Sequence, residues 1–316
     1  MPLISIVIPT YRAVDCLILC VKSLAQCELR ELMEVCIYGD GGGEEADKAI
    51  KQCSLLLEKA NVKCHAFYNP QNLGNTPAVN RVAAMATGEW LFFCNDDMVF
   101  PKNWLNICMP LLQPNRILSV SCIEPPIAGH APASCFYAHN LGVDPTNFDT
   151  TKLEAFNSTV CQKNMRTEIG VNYPFFVEKN LFEKVGRADE RFSGPYHDPD
   201  LHLRFRLAGA EMVRTQACAL YHFSGMSLRF VAENTGVKKR KNSLSWVRKE
   251  NQARLLFIEK WGTKPRSRFG EIPRTRAKEP FVWGSAPALA KVSVQLLLAW
   301  EKFRIAWREL RYRLSE

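Results

Sequence analysis

The sequence predicts an α/β fold in which a mostly parallel sheet, flanked by helices, is followed by an amphipathic C-terminal helix. Over the first hundred residues, short apolar runs alternate with amphipathic segments, which is the pattern of βαβ units. The apolar runs are followed by polar loops, several of them with glycine. Because ligands of such sheets bind at the carboxyl ends of the strands, we expect the functional residues in these loops.

The elements of the first half alternate along the chain. Strands are predicted at residues 3–9, 33–40, 62–68 and 89–95. Residues 14–25 carry a helical repeat, a second helix follows the glycine-rich turn at 41–43, and a third is predicted at 73–88 with Gly88 as its C-cap. Beyond Gln113 the periodicity weakens, which is typical of an insert that determines specificity.

Composition excludes several classes of protein. The chain has 316 residues, of which 47% are hydrophobic and 23% charged, so it predicts one large globular domain or two coupled ones. None of its twelve cysteines forms a CxxC pair, which argues against a zinc module or a dithiol redox motif. Neither a signal peptide nor an apolar run of about 20 residues is found, so we expect a cytoplasmic location.

The positive charge is concentrated in the last part of the chain. Residues 231–316 contain 20 Lys and Arg against 8 Glu, whereas the rest of the chain is slightly acidic. A basic tail on such a body predicts a local electrostatic anchor rather than a general nucleic-acid-binding protein. Nucleic-acid binding through residues 237–280 would depend on charge alone, without interleaved aromatic residues.

Two adjacent carboxylates follow the fourth predicted strand. Asp96 and Asp97 lie between apolar runs, where they need a positive partner. We predict a Mn²⁺ or Mg²⁺ ion that bridges to a diphosphate, because these cations take one or two protein carboxylates together with substrate phosphates. The alternative is an acidic turn with a purely structural role.

Five motifs occur in order along the chain: ISIVIPTYRAVDCLILCVKSLAQ, CIYGDGGGEEA, NPQNLGNTPAVNRVAAMATGEWLFFCNDDMVFPKNWL, VGRADERF and HDPDLHLRFRLAG. In this order and at this spacing they resemble the family 2 glycosyltransferases, inverting enzymes of the GT-A fold. The resemblance runs from about Ile4 to Gly262 and is weak across residues 114–170. It implies a nucleotide-sugar-binding half at residues 1–113 and an acceptor-binding half of the same domain at residues 114–262. Residues 263–316 then form a basic linker and the C-terminal helix.

The resemblance assigns roles on the donor side to residues near the strand ends. It implies that Pro9, Thr10 and Tyr11 border the nucleotide base, that Asp40 hydrogen-bonds the base, and that Asn72 and Asn80 lie beside the nucleotide. It makes Asp96 a nucleoside or sugar contact, Asp97 a metal ligand, and His222 a second group that reaches the metal or the diphosphate. The family usually has two acids where this chain has Gly39 and Asp40, which leaves the identity of the base open.

On the acceptor side, the resemblance makes Asp198 the general base of an inverting transfer. The family usually has glutamate where this chain has His197. Pro199 fits the first turn of a helix, so Asp198 is also a candidate N-cap, and Asp200 and Arg204 have the spacing of an ion pair.

The C-terminal helix carries one apolar stripe: Leu289, Val292, Leu296, Trp300, Phe303, Trp307, Leu310 and Leu314. The stripe is suited to packing on the body of the enzyme, to dimerisation, or to a membrane interface. Aromatic residues beside Lys302, Arg304, Arg308, Arg311 and Arg313 favour an anionic membrane surface, bound through residues 287–316.

Together these features predict a metal-dependent inverting glycosyltransferase that uses a nucleoside-diphosphate sugar, with UDP-sugar as the favoured donor. The predicted acceptor is a hydroxyl of a glycan or lipid-linked molecule in surface polysaccharide or glycoconjugate biosynthesis, at the inner face of the cytoplasmic membrane. One alternative is a nucleotidyltransferase, although the loop after the first strand has no glycine to hold a triphosphate. The other is a non-catalytic protein that binds nucleotide sugars.

Overall fold

The computed structural model describes residues 3–126, 136–161, 167–192, 195–226, 243–265 and 279–314. Most of the predicted basic linker, residues 266–278, lies outside the described residues, as do parts of the predicted insert at 127–135 and 162–166.

The described strands all belong to one mixed sheet. They are β1 (Ile4–Thr10), β2 (Met33–Asp40), β3 (Lys63–Asn69), β4 (Trp90–Phe93), β5 (Met98–Val99), β6 (Arg116–Glu124), β7 (Phe136–Ala138), β8 (Thr167–Ile169), β9 (Phe175–Glu178) and β10 (Glu211–His222). Their order across the sheet is β3-β2-β1-β4-β9-β6-β10-β5, with β7 beside β6 and β8 beside β10. The predicted α/β class with a mostly parallel mixed sheet is confirmed.

Helices cover the sheet. They are α1 (Val14–Ala25), α2 (Glu44–Lys59), α3 (Asn75–Met85), α4 (Trp104–Cys108), α5 (Thr150–Phe156), α6 (Lys179–Lys184), α7 (His197–Leu207), α8 (Leu244–Trp261) and α9 (Ala288–Leu314). Among the described helices, none is long and apolar enough to cross a membrane. The predicted C-terminal helix is present as α9.

Strand direction brings the functional loops to one edge. Strands β2 and β4 run parallel to β1, and β9 runs antiparallel between β4 and β6. Since β10 is parallel to β6, the carboxyl ends of β1, β2, β4, β6 and β10 all point the same way. The residues before the reversed strand β9 lie at this same edge.

Aromatic packing holds the middle of the sheet. Phe92 of β4 contacts Phe176 of β9 and Trp104 of α4, with ring centroids 4.4 and 4.9 Å apart, and all three side chains are fully buried. Rings of this size contribute much of the apolar area that a core removes from water. They fix β4, and therefore the acidic pair that follows it, against the neighbouring strands.

Two local predictions were wrong. Helix α3 ends at Met85 with Ala86 as its C-cap, so Gly88 does not cap it. A Cβ at Gly88 would lie 2.8 Å from the Ser5 Oγ atom, and the Gly88 N–H donates to that oxygen. The glycine is therefore needed for close approach to β1.

The second error concerns the start of α7. The helix begins at His197, and Tyr196 is its N-cap. Asp198 and Pro199 are therefore the second and third residues of the first turn. Asp198 is therefore not the N-cap, although Pro199 does lie in the first turn, where its missing N–H is tolerated.

Candidate active site

Five strands place a polar residue at the shared edge. Thr10, Asp40, Glu124 and His222 end β1, β2, β6 and β10, and the Asp96–Asp97 pair follows β4. The convergence follows from the parallel topology, because residues at the ends of parallel neighbours meet at one edge.

Asp97 and His222 are in direct contact. The Asp97 Oδ1 atom lies 3.2 Å from His222 Nε2, and Asp97 Oδ2 accepts hydrogen bonds from the backbone N–H groups of Gly225 and Met226. On the other side of the ring, His222 Nδ1 donates to Glu124 Oε1 over 2.7 Å. The imidazole is thus held between two carboxylates from different strand ends.

These contacts shift the pKa values in opposite directions. Burial lowers the pKa of His222, but the charge of Asp97 and the hydrogen bonds to Asp97 and Glu124 outweigh it and raise the pKa to about 10. Burial raises the pKa of Asp97, but His222 and the two backbone donors lower it below the ordinary value. In the protein without a metal, His222 is therefore the positive partner that Asp97 requires.

Asp96 has different surroundings from Asp97. Its Oδ2 atom accepts a hydrogen bond of 2.6 Å from the Thr10 hydroxyl, and the Tyr11 backbone also donates to the carboxylate. Burial and the neighbouring charge of Asp97 nevertheless raise the pKa of Asp96 to about 7. The two adjacent acids therefore differ strongly in proton affinity.

Asp40 organises the loop before α3. Its carboxylate accepts hydrogen bonds from the backbone N–H groups of Leu73 and Gly74, with distances of 2.8–3.1 Å. The glycine-rich turn after it packs closely, since a Cβ at Gly42 would lie 1.9 Å from the Tyr11 carbonyl oxygen. Asn72 is exposed next to this turn. The base contacts expected of Asp40 and Asn72 stay predictions.

Asn80 is engaged with the acceptor-side half. Its amide nitrogen donates to the Ala188 carbonyl and to Glu190 Oε1, each over 2.9 Å, and its oxygen accepts from the Ala188 N–H. Both amide hydrogens are used in anchoring residues 188–190 to α3. The predicted nucleotide contact would require this anchor to open, and it stays a prediction.

Asp198 lies at the start of α7 and is partly accessible. Its side chain is 36% exposed, and Asp198 Oδ1 lies 2.8 Å from His197 Nε2. That ring nitrogen also lies 3.4 Å from the Asn75 amide at the beginning of α3. Burial raises the pKa of Asp198, but the His197 charge and hydrogen bond lower it overall. His197 therefore favours the ionised form of Asp198.

Asp200 anchors α7 to α8. The predicted ion pair with Arg204 is present at 2.9 Å, and Asp200 Oδ1 also accepts from Trp261 Nε1 and contacts Lys260 Nζ. Asp200 is fully buried, so these partners offset the cost of removing its charge from water. These contacts hold the first turn of α7, which includes Asp198, against α8.

The start of α7 lies beside the same edge of the sheet. His197 Nε2 contacts Asp198 and lies 3.4 Å from the Asn75 amide at the beginning of α3. The preceding residue, Gly74, donates its backbone N–H to Asp40 at the end of β2.

Tyr173 also lies at this edge, two residues before β9. Burial raises the pKa of its phenol, and the neighbouring Cys94 and the charges of Asp198, Asp96 and Asp97 raise it further.

Tyr173 and Glu124 lie at this edge but were not among the predicted site residues. Glu124 had a detectable signal, since it ends an apolar run and is followed by two prolines. Tyr173 had no such signal in the sequence. Because β9 runs in the reverse direction, Tyr173, two residues before it, lies at the edge where the other strands end.

The donor set fits a divalent cation that is completed by substrate. Within the described residues, no three His, Cys, Asp or Glu side chains form a group that could hold a metal alone. Asp97 and His222 nevertheless present an oxygen and a nitrogen side by side, and Glu124 holds the other ring nitrogen as a carboxylate commonly does behind a metal-binding histidine. Such a site suits Mn²⁺ or Mg²⁺ with diphosphate oxygens.

The comparison with protein families agrees with the motifs. Residues 5–129 match the model of glycosyl transferase family 2. The matched stretch covers about two fifths of the chain. It contains the candidate donor side up to Glu124, whereas His222 and Asp198 lie beyond it. The search of curated proteins found no match.

Solved structures share the GT-A fold with this chain. The mannosyltransferase PcManGT from Pyrobaculum calidifontis, in complex with GDP-Man and Mn²⁺, has a TM-score of 0.54 at 12% identity, covering 99% of this chain and 75% of its own. S. aureus TarS 1–349 in complex with UDP-GlcNAc has a TM-score of 0.52 at 12% identity, covering 82% and 67%.

Coverage of TarS varies between its structures. This chain covers 60% of another structure of TarS 1–349, at a TM-score of 0.52 and 15% identity, and 36% of a longer TarS chain, at 0.51 and 14%. At these identities the likeness extends to the fold alone. The predicted GT-A fold is confirmed.

Proposed function

We propose that this protein is a metal-dependent inverting glycosyltransferase that transfers a sugar from a nucleoside-diphosphate sugar to a hydroxyl group. The observation that carries the proposal is the contact of Asp97 with His222 at the strand ends. Asp198 lies beside the same edge, because His197 contacts both Asp198 and the Asn75 amide at the start of α3. The family match of residues 5–129 supports the donor half of this assignment.

On the donor side, Asp97 and His222 would hold Mn²⁺ or Mg²⁺. When bound there, the cation would offset the negative charge that develops on the departing diphosphate. Glu124 fixes the orientation of the His222 ring, and Thr10 fixes Asp96 in the position we assign to a nucleoside or sugar contact. Pro9, Tyr11, Asp40, Asn72 and Asn80 complete the proposed nucleotide-binding set.

On the acceptor side, Asp198 would remove the proton from the attacking hydroxyl. Inversion requires the hydroxyl to attack the anomeric carbon opposite the leaving diphosphate, and a general base assists as the bond forms. The exposed fraction of Asp198 gives a hydroxyl access to the carboxylate, and His197 lowers the pKa of the carboxylate. No covalent intermediate is needed.

The donor base and the acceptor are the finer parts of the proposal. We favour a UDP-sugar, and a glycan or lipid-linked acceptor in surface polysaccharide or glycoconjugate biosynthesis at the inner membrane face. TarS has been solved with UDP-GlcNAc and PcManGT with GDP-Man, so both bases belong in the test. We also propose that residues 1–113 form the nucleotide-sugar-binding half and residues 114–262 the acceptor-binding half of one domain, followed by the linker and C-terminal helix at residues 263–316.

A donor screen tests the proposal. We expect one nucleotide sugar to bind in the presence of Mn²⁺, as measured by calorimetry, and to release its nucleoside diphosphate. In the Asp97→Ala variant the Mn²⁺-dependent part of the affinity should disappear. Equal affinity of the wild type with and without Mn²⁺ would contradict the metal assignment. Binding without turnover across acceptors would favour the non-catalytic alternative, and release of pyrophosphate from a nucleoside triphosphate would favour a nucleotidyltransferase.

A further inference from the structure

The two faces of α9 have opposite surroundings. The face toward the body of the protein combines buried Val294 with ion pairs: Glu301 is buried and contacts Arg254 over 2.8 Å and Lys264 over 2.5 Å. Further along, Glu309 contacts the Asn251 amide, and Arg308 pairs with Glu250 over 2.8 Å. The helix is therefore attached to the body of the protein through ion pairs.

The apolar stripe lies on the opposite face and is exposed. Trp300, Phe303 and Trp307 are 55%, 64% and 58% exposed, and the remaining stripe residues are exposed as well. At about 100° per residue, the stripe residues lie about 100–180° around the helix from Glu301 and Val294, the buried residues of α9, with Trp300 at the near margin. Of the alternatives left open by the sequence, packing of the stripe on the body of the enzyme is wrong, because the stripe is exposed and the other side of the helix contacts α8.

The exposed charges beside the stripe are all positive. The two acids of α9, Glu301 and Glu309, face α8, where they meet basic or amide partners. By helical position, Arg311 flanks the stripe on one side, and Lys302 and Arg313 on the other. Arg304 lies beside Arg311 and also contacts Glu301 over 3.1 Å. Arg308, which the sequence grouped with them, is used in the pair with Glu250.

We propose that the exposed stripe of α9 is a docking surface for an anionic lipid bilayer, with the helix lying in the plane of the interface. Aromatic side chains with basic residues on both sides match a headgroup layer, where rings insert and the long cationic side chains reach lipid phosphates. Because α9 spans 27 residues, about 40 Å at 1.5 Å per residue, it presents an extended line of contact.

This surface is connected to the acceptor side of the proposed site. Arg254 of α8 contacts both Glu301 of α9 and the Tyr196 hydroxyl, at distances of 2.8 and 3.2 Å. Tyr196 directly precedes His197 and Asp198 at the start of α7. Docking through α9 would thus hold the acceptor side near the bilayer, as a lipid-linked acceptor requires, and this last step rests on the proposed function.

Vesicle flotation with the full chain, without any sugar donor, tests the docking surface. We expect binding to vesicles of phosphatidylcholine with phosphatidylglycerol, weak binding to phosphatidylcholine alone, and a loss of binding in high salt. The triple variant Trp300→Gln, Phe303→Gln, Trp307→Gln should bind at least about tenfold more weakly. The pair Arg311→Gln, Arg313→Gln should lose about fivefold per residue.

A matched control uses apolar residues that are equally exposed elsewhere. Leu55→Gln with Phe67→Gln removes side chains that are 56% and 54% exposed on α2 and β3, and should leave vesicle binding unchanged. Thermal melts by circular dichroism check that each variant is folded, and quenching of tryptophan fluorescence by brominated lipid reports insertion in the wild type. Absence of quenching, or equal binding by the triple variant, would overturn the proposal. A dimer in sedimentation that the triple variant dissociates, without vesicle binding, would identify a second copy of the chain as the occupant.

Discussion

The two carboxylates of the proposed reaction, Asp97 and Asp198, are held in opposite ways. The Asp97 side chain is 4% exposed and is fixed by His222 and by two backbone donors that follow β10. The Asp198 side chain is 36% exposed and has His197 as its ion-pair partner at the start of a helix. The donor side is thus built into the sheet, whereas the acceptor side is attached to it through α7. This arrangement fits a charge-stabilising centre that must stay fixed and a base that an acceptor must reach.

The largest expected effect is on turnover when the accessible carboxylate is neutralised. Asp198→Asn should lower kcat by about 10²–10⁴-fold while donor binding stays within about twofold, because general-base assistance acts in the transition state. Steady-state kinetics and calorimetry with the donor measure the two quantities. Asp47→Asn, which changes an acid on α2 that pairs with Lys51, is the comparison variant and should keep the wild-type kcat. Full turnover in Asp198→Asn would assign the base elsewhere.

The fixed side can be loosened without touching a proposed ligand. Glu124→Gln keeps the shape of the side chain but weakens the hold on His222 Nδ1, so we expect Mn²⁺ affinity to fall by about 10–100-fold. Calorimetric titration of Mn²⁺ in the presence of the nucleoside diphosphate measures it. Glu178→Gln, at the far end of β9, is the control. If Mn²⁺ affinity is unchanged, His222 is not a ligand, or its orientation does not depend on Glu124.

Helix α7 is attached to α8 through Asp200, so a weaker contact at this residue should lower the stability of the protein. Trp261→Phe removes the hydrogen bond to the buried Asp200 carboxylate, and should lower the free energy of unfolding by about 1.5–3 kcal/mol. Chemical denaturation measures the change. Trp300→Phe alters an exposed ring on α9 and should cost less than about 0.5 kcal/mol. A similar loss of unfolding free energy in both variants would mean that the hydrogen bond to Asp200 does not stabilise the fold.

The smallest expected effect is a displacement of the pH profile. His197 lowers the pKa of Asp198, so His197→Gln should raise that pKa. A base acts in its ionised form, and its activity is lost as the pH falls through its pKa. The acidic limb of kcat against pH should therefore move to higher pH in the variant, with little change near neutrality. A limb that stays in place, or moves to lower pH, would show that another group controls it.

Much of the donor half could be predicted from local sequence. The strand of residues 33–40 and the helix of residues 14–25 have the predicted bounds. In each, the pattern of apolar residues covers the whole element, and a polar residue or a glycine follows its end. Gly88 and the start of α7 were predicted wrongly for a shared reason. A glycine near a helix end and an acid before a proline are common capping signals, but here a neighbouring strand and the position of Tyr196 decided the geometry.

The sequence by itself determined the α/β class, the family resemblance and the residue types at the strand ends, because these depend on local periodicity and on motifs within short stretches. Only the tertiary structure decided that His222 lies between Asp97 and Glu124, that Asp198 lies beside the same edge of the sheet, and that α9 exposes its apolar stripe. Each of these depends on the order of strands in the sheet or on which face of a helix meets its neighbour. These features depend on contacts between residues that are far apart in sequence, so their burial and charge interactions are not encoded in any single segment.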